Sequence, residues 1–398
     1  MSNPLLQLRE LGQSVWLDYL HRKILQDGEL MRLIREDGLK GMTSNPTIFE
    51  KAIAEADDYD APIAAALARQ DVGPMALYEE LAIDDIQAAA DLLRPVYDEL
   101  NGADGFVSLE VSPYLAMESE ATITEARRLW AQVARPNVMI KVPGTKAGPE
   151  AISRLVGEGI NVNVTLLFGI DAYVAAAEAH MTGLEAFKVA GGDPAKVHGV
   201  ASIFVSRIDG KIDKEIDRRL RAGTVEDADV LKQLRGKVAI ANAKVAYQRY
   251  LELLDGARWK ALRSAGATPQ RLLWASTGTK DTAYSDVLYV ETLVGPDTIN
   301  TMPPKTMDAF RDHGRARPTL TEGVSEAYDI LASAERLGLD LKGVTEGLVA
   351  EGVKSFADSF DALLAAVADK RAVAMNGRPA SRTGSAPTTA QIGTESRH

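Results

Sequence analysis

Short stretches rich in β-branched and aromatic residues alternate with longer helical patterns along the chain. Eight of them have the length and residue types of buried strands. The predicted strands are 14–19, 39–45, 105–112, 137–143, 160–168, 198–206, 271–277 and 297–303. Strict alternation of strand and helix favours right-handed β–α–β crossovers and a parallel sheet. We predict that the units close into a single (β/α)8 TIM barrel, with an open doubly wound sheet as the alternative.

Additional helices are predicted within and after this framework. Residues 46–104 and 207–270 each contain more than one helical pattern, and two further amphipathic patterns follow the last strand. We expect them to belong to one barrel domain, residues 1–375. Residues 376–398 are rich in Ser, Thr, Gly and Pro, which predicts a disordered tail.

Several strands carry polar side chains on one face only. In 105–112 the positions that alternate with Ser108 and Glu110 are all apolar. Because helices surround a barrel, the apolar face should point to the helices and the other face to the interior. The interior set then includes Asp18, Glu110, Lys141, Asn163, Thr165, Ser202 and Phe204. A single polar residue at a strand end is more often structural, but convergence of several at the carboxyl ends predicts an active site.

An interior lysine suggests imine chemistry. Burial disfavours the ammonium form, so Lys141 is a candidate amine nucleophile for a ketone. The protonated imine would weaken the adjacent carbon–carbon bond, and Asp18 is the candidate base for the hydroxyl proton. Glu110 and Thr165 are candidates to hold a water molecule for imine formation. Asn45 is suited to sugar hydroxyls, as is Asn163.

Composition and missing motifs argue against several other kinds of catalytic chemistry and binding partner. The chain of 398 residues has no cysteine, which excludes thiolate nucleophiles and disulfides and fits a cytoplasmic protein. Its net charge of −11 argues against nucleic acid and anionic membrane surfaces as partners. Its five histidines include no HxxxH pair, and the GxSxG and P-loop motifs are absent. The sequence is compatible with either a monomer or a homodimer.

Candidate phosphate ligands follow the sixth and seventh predicted strands. Arg207 lies just beyond the sixth strand, and Ser276 and Lys280 lie in the STGTK segment after the seventh. Late β–α loops often bind phosphate in barrels, and an arginine fork matches phosphate oxygens. Taken singly, either cation is more simply explained as a solvated loop residue.

Five segments resemble motifs of the transaldolase family and occur in the family's order. They are MTSNPTIFEKAI (42–53), VMIKVPGT (138–145), NVNVTLLF (161–168), SIFVSRIDG (202–210) and WASTGTK (274–280). The resemblance spans about residues 10–370. The sequence resembles the longer-chain transaldolases, and we expect it to be the form without a fused isomerase domain.

The resemblance implies a role for each matching residue. It implies transfer of a dihydroxyacetone unit from sedoheptulose 7-phosphate or fructose 6-phosphate to glyceraldehyde 3-phosphate or erythrose 4-phosphate, in the non-oxidative pentose phosphate pathway. No metal or organic cofactor is expected. The implied roles are imine formation by Lys141, acid–base catalysis by Asp18, water placement by Glu110 and Thr165, donor contacts from Asn45, Asn163 and Ser202, and phosphate binding by Arg207, Ser276 and Lys280.

Two departures from the family pattern and two rival functions remain. The W-E-G run that often follows the lysine is replaced here by PGTKAGPE, and Gly278 stands where shorter members have a phosphate-binding arginine, for which Lys280 is the substitute. One rival is a fructose-6-phosphate aldolase, which releases free dihydroxyacetone. By strand parity Phe204 faces the barrel interior, where its apolar ring should keep water from releasing the donor carbanion. We therefore predict transfer of the donor unit to an acceptor. The other rival is a non-catalytic sugar-phosphate-binding protein.

Overall fold

Eight parallel strands form a closed barrel in chain order in the computed structural model, which describes residues 3–223 and 227–376. Strand β1 also pairs with β8 and closes the barrel. The strands are β1 (Gln13–Asp18), β2 (Leu39–Thr43), β3 (Phe106–Glu110), β4 (Val138–Pro143), β5 (Val162–Leu167), β6 (Gly199–Phe204), β7 (Arg271–Ala275) and β8 (Thr298–Met302). Each predicted strand overlaps one of them, so the (β/α)8 barrel is confirmed and the open sheet is excluded.

Seventeen α-helices surround or extend the barrel in the described part of the chain. Within it, α4–α6 occupy the first long connection and α10–α13 the second, as expected. The helices are α1 (Pro4–Glu10), α2 (Arg22–Gln26), α3 (Glu29–Glu36), α4 (Pro46–Glu55), α5 (Asp60–Arg69), α6 (Pro74–Glu99), α7 (Ser119–Val133), α8 (Gly148–Gly157), α9 (Ile170–Val189), α10 (Ser206–Arg221), α11 (Ala228–Leu234), α12 (Val238–Asp255), α13 (Ala257–Ser264), α14 (Leu288–Glu291), α15 (Pro304–His313), α16 (Val324–Arg336) and α17 (Leu341–Asn376).

The strand register places the polar interior positions side by side. Glu110 on β3 is the partner of Lys141 on β4, and Lys141 is the partner of Asn163 on β5. On the other side of the barrel, Asp18 at the end of β1 is the partner of Thr43 on β2. Side chains from five strands are therefore brought to one end of the barrel interior.

Large side chains fill the interior below this level. The ring of Trp16 is fully buried and lies against Gly41, where an added Cβ would come within 2.4 Å of the ring. Phe106 packs nearby, with 6.4 Å between its ring centre and that of Trp16. These rings pack the barrel interior beneath the polar positions.

Strand β5 departs from regular alternation near its end. Its register with β6 is irregular between Val164 and Leu167, and Leu166 has a φ of 59°. An L-residue rarely adopts this left-handed conformation unless its surroundings impose it. Leu166 lies against Gly352 of α17, so the irregular strand end is also a contact point for that helix.

Helix α17 is longer than the predicted amphipathic pattern and packs on α4, α5, α6 and α10. It includes Asn376, the first residue of the predicted tail, and residues 377–398 lie outside the described part of the chain. No helix in the described part is long and apolar enough to cross a membrane.

Candidate active site

A cavity of about 190 Å³ opens at the carboxyl ends of the strands. Nearly all of the side chains that the strand pattern and the loop motifs singled out line it. The lining residues are Asp18, Thr43, Asn45, Lys141, Thr165, Ser202, Phe204, Arg207, Ala275, Ser276, Gly278, Lys280, Thr301, Pro303 and Phe356. Two predicted residues, Glu110 and Asn163, lie behind this surface.

Lys141 is held by two oxygen atoms. Its Nζ donates to the carbonyl oxygen of Ser44 at 2.9 Å and lies 3.2 Å from Oε2 of Glu110. The side chains of Lys141 and Glu110 are only 5% and 4% exposed, so solvent screens their interaction little. Burial raises the pKa of Glu110, and the opposing charge of Lys141 offsets part of this rise. Glu110 is therefore placed and tuned to exchange a proton beside the amine.

Asp18 is held by a chain of hydroxyl groups. Thr43 Oγ1 donates to Asp18 Oδ1 at 2.7 Å, and the Thr301 hydroxyl lies 2.8 Å from that of Thr43. Burial raises the pKa of Asp18, while the charges of Lys141 and Arg207 and the hydrogen bond from Thr43 act in the opposite direction. A carboxyl group in this position is suited to accept and return a proton during the reaction.

Asn163 joins three strands below the lysine. Its Nδ2 donates to Ser108 Oγ at 2.9 Å, and its Oδ1 accepts from Ser202 Oγ at 2.7 Å. Asn163 is fully buried and lies outside the cavity lining, whereas Ser202 lines it. In this structure Asn163 does not reach the cavity surface on which a donor contact was predicted. Its amide is already hydrogen-bonded to Ser108 and Ser202, and it orients Ser202.

Thr165 and Asn45 both face the cavity. The hydroxyl of Thr165 is buried and has no hydrogen-bond partner among the described residues, so it is free to hold a water molecule or a substrate hydroxyl. Asn45 begins α4, where its Oδ1 accepts the backbone N–H of Ile48 at 3.0 Å. This cap fixes the Asn45 side chain and leaves its amide donors for a ligand.

The side of the cavity formed by the segments after β6 and β7 is cationic. Arg207, in the first turn of α10, has its guanidinium 5.2 Å from the ring centre of Phe204. Burial lowers the pKa of Arg207, and the charges of Asp18 and Glu351 partly offset this. Lys280 lines the same cavity, so Arg207 and Lys280 provide two positive charges for an anionic group.

Ser276 begins the loop on this cationic side. It has a φ of 55°, and its hydroxyl lies 3.0 Å from that of Ser206 at the start of α10. The next side chain, Thr277, is buried and donates to Asn300 Oδ1 at 3.0 Å. The loop is therefore fixed from both sides, which keeps a constrained backbone at the site.

The lining residues that the sequence analysis did not single out include Thr43, Thr301 and Phe356. Thr43 and Thr301 lie at strand ends with the parity of the interior set, so the strand pattern contained a signal for them. Phe356 comes from α17, far along the chain from the strands, and its helical pattern gave no reason to choose it over neighbouring aromatic residues.

A larger groove, of about 800 Å³, lies on the surface between α9 and α12. It is lined mainly by aliphatic side chains, and its arginines are engaged in ion pairs. Arg249 contacts Glu252 at 2.6 Å and Arg258 contacts Glu185 at 2.8 Å. Since no amine and carboxylate pair is buried there, we assign the chemistry to the cavity in the barrel.

Comparison with known proteins identifies the family of the chain. The family profile described as Transaldolase/Fructose-6-phosphate aldolase matches residues 15–367. "Transaldolase 2" of Nostoc sp. is 47% identical over 367 residues, which cover 91% of this chain and 96% of the relative. "Transaldolase" of Trichodesmium erythraeum is 44% identical over 373 residues (93% and 98%), and "Transaldolase" of Thiobacillus denitrificans is 48% identical over 357 residues (90% and 97%). The resemblance predicted from the motifs is confirmed, and the chain belongs to the transaldolase/fructose-6-phosphate aldolase family.

Proposed function

We propose that the barrel cavity catalyses the transaldolase reaction through a Schiff base on Lys141. A dihydroxyacetone unit passes from sedoheptulose 7-phosphate or fructose 6-phosphate to glyceraldehyde 3-phosphate or erythrose 4-phosphate, as in the non-oxidative pentose phosphate pathway. The observation that carries the proposal is the buried contact between Lys141 and Glu110, next to a cavity that also contains Asp18.

Imine formation uses the Lys141 side of the cavity. The neutral amine attacks the donor ketone carbon and forms a carbinolamine. Glu110, 3.2 Å from Nζ, takes up and returns protons so that the carbinolamine oxygen leaves as water. The unpartnered hydroxyl of Thr165 holds this water in the cavity. The product is a protonated imine that can accept electrons from the neighbouring bond.

Carbon–carbon cleavage uses the Asp18 side. The Asp18 carboxylate removes the proton from the hydroxyl on the far carbon, and a carbonyl forms there as the carbon–carbon bond breaks. The bonding electrons move into the imine and give an enamine on Lys141, while an aldose phosphate leaves. In the second half, the enamine carbon attacks the acceptor aldehyde and Asp18 returns the proton to the new oxygen. Hydrolysis of the imine then releases the product ketose.

Substrate contacts follow from the cavity lining. Asn45 and Ser202 offer hydrogen bonds to donor hydroxyls, and Asn163 holds Ser202 in place. Arg207, Lys280 and the hydroxyl of Ser276 line the cavity after β6 and β7 and are assigned to the phosphate. A phosphate between two cations and a fixed loop would orient the sugar chain toward Lys141.

Borohydride trapping tests the imine. We expect reduction in the presence of fructose 6-phosphate to add a donor-derived mass to the peptide that contains Lys141. The matched control is Lys141→Met, which keeps the length and packing of the side chain but has no amine. Equal modification of the native protein and the variant, or an unmodified Lys141 peptide, would contradict the mechanism.

The aldolase alternative is tested with fructose 6-phosphate alone. Phe204 packs on Phe168, with ring centres 5.3 Å apart, and presents an apolar surface to the cavity. We expect dihydroxyacetone release without an acceptor to be slow compared with transfer to erythrose 4-phosphate. Sustained release at the rate of transfer would favour the aldolase.

We also propose a cytoplasmic location, because sugar phosphates are charged, do not cross membranes unaided, and are made and consumed in the cytoplasm. A chain without cysteine is compatible with that reducing compartment. Cell fractionation that found the activity in another compartment would contradict this.

A further inference from the structure

Helix α17 contributes one side chain to the active-site cavity. Phe356 lines the cavity together with Lys141 and Arg207, and it is only 4% exposed. Every other lining residue comes from a strand end or from the loop or helix that directly follows a strand. The aromatic ring therefore closes the cavity from outside the barrel framework.

The position of Phe356 is fixed by contacts on either side of it along the helix. One turn before it, Gly352 lies so close to Leu166 that an added Cβ would be 2.8 Å from the leucine side chain. One turn after it, the hydroxyl of Ser359 lies 2.8 Å from that of Thr47 on α4. Gly352 and Ser359 lie on the same helix face as Phe356, because side chains three or four residues apart are neighbours on a helix. This is the face of α17 that meets the barrel.

An ion pair holds the same part of the helix against α10. Glu351 accepts a hydrogen bond from Lys211 Nζ at 2.6 Å. Lys211 lies one turn beyond Arg207 on α10, so the helix is attached near the cationic side of the cavity. Contacts with β5, α4 and α10 together hold the Phe356 ring over the cavity.

The enamine on Lys141 has two possible fates, and they differ in their need for water. In transfer, its carbon forms a bond to the acceptor aldehyde carbon, and the new oxygen takes a proton from Asp18. In release, the same carbon takes a proton from water instead. The resulting imine then adds water, the carbon–nitrogen bond breaks, and free dihydroxyacetone and the lysine amine result. Excluding water before the acceptor arrives therefore favours transfer.

We propose that Phe356 is a specificity-determining residue that keeps solvent, other than the one water held at Thr165, out of the donor-loaded cavity and so favours transfer over release. The proposal rests on the proposed function, since it concerns an enamine on Lys141. It adds a second residue to the role assigned to Phe204, which lies in the wall of the barrel against Phe168. Phe356 lies on a separate helix, so it can be substituted without changing the wall of the barrel.

The experiment compares release with transfer in variants of the full-length protein. The measured quantity is a ratio of two rates. The rate of dihydroxyacetone formation from fructose 6-phosphate alone is divided by the rate of transfer to erythrose 4-phosphate. We expect Phe356→Ala to raise this ratio several-fold because it opens space for water. Phe356→Tyr retains the ring and its packing but adds a hydroxyl that can bind water, and we expect it to raise the ratio as well. It also provides a test if the alanine variant fails to fold.

Phe360→Ala is the matched control. Phe360 lies one turn further along α17 and is equally buried, but it packs on Tyr78 and Tyr114, with ring centres 5.4 and 5.6 Å away, and does not line the active-site cavity. We expect its ratio to match that of the native protein. An unchanged ratio in Phe356→Tyr or in a folded Phe356→Ala, or an equal rise in Phe360→Ala, would overturn the proposal. Failure of borohydride trapping in the native protein would instead refute the proposed function.

Discussion

Thr43 should set the lower end of the pH range in which the enzyme works. Its hydroxyl donates to Asp18 at 2.7 Å and is 2.8 Å from the hydroxyl of Thr301. Since Thr43 gives its only proton to the carboxylate, Thr301 must be the donor in the second contact. Thr43→Val keeps the shape of the side chain and removes the hydrogen bond to Asp18.

The expected magnitude follows from the charge of the acceptor. A hydrogen bond to an ionised group contributes about 1.5–3 kcal/mol. One pH unit corresponds to about 1.36 kcal/mol, so the acid side of the activity profile should move upward by roughly one to two pH units. The sign is upward because the hydrogen bond favours the ionised form of Asp18, whose pKa burial already raises. Without it, the base is protonated at a higher pH and activity falls sooner on acidification.

The measurement is kcat/KM against pH, with fructose 6-phosphate as donor and erythrose 4-phosphate as acceptor. Thr43→Ser keeps the hydroxyl and should restore most of the native profile. Thr301→Val removes a hydroxyl one contact further away, so its acid side should move much less. If Thr43→Val lowered activity equally at every pH, the hydrogen bond would not be controlling the protonation of Asp18, and the reasoning would fail.

Four further variants test the remaining groups. Asp18→Ala should still form the borohydride-trapped imine but lose carbon–carbon cleavage; normal turnover would refute its role as base. Lys280→Met should raise KM for fructose 6-phosphate much more than for unphosphorylated fructose, with Arg207→Met as the comparison, and an equal effect on both sugars would remove Lys280 from the phosphate site. Lys141→Met leaves the buried Glu110 unpaired, at a cost of about 3–5 kcal/mol. Because burial raises the folded-state pKa of that carboxyl, the loss in unfolding free energy should be smallest at acidic pH and grow as pH rises. Urea titrations would measure it, and a loss independent of pH would contradict the assignment.

The barrel and the chemical centre could be predicted because local patterns encode them. Strand and helix alternate along the chain, and two-residue periodicity directs Glu110 and Lys141 to the same interior. The pattern could not show that the Asn163 amide would be hydrogen-bonded to Ser108 and Ser202. Those bonds depend on the register between the strands, which the sequence of one strand does not determine.

The covering residue could not be predicted for a different reason. Phe356 and Phe360 belong to one amphipathic helix, and either could face the cavity if the helix were shifted by one turn. The position is decided by tertiary contacts, above all the close approach of Gly352 to Leu166. That leucine has a left-handed backbone at an irregular strand end, which the alternation of 160–168 does not indicate.

The residues that we propose form and break bonds, and the helix that we propose covers them, come from separate stretches of the chain. The strands end at Met302, whereas α17 begins at Leu341. Substitutions in the helix can therefore alter which molecules reach the enamine without displacing the lysine or its carboxylates. For engineering, and equally for divergence among relatives, the choice between an aldehyde and water as the second reactant can change independently of the catalytic step.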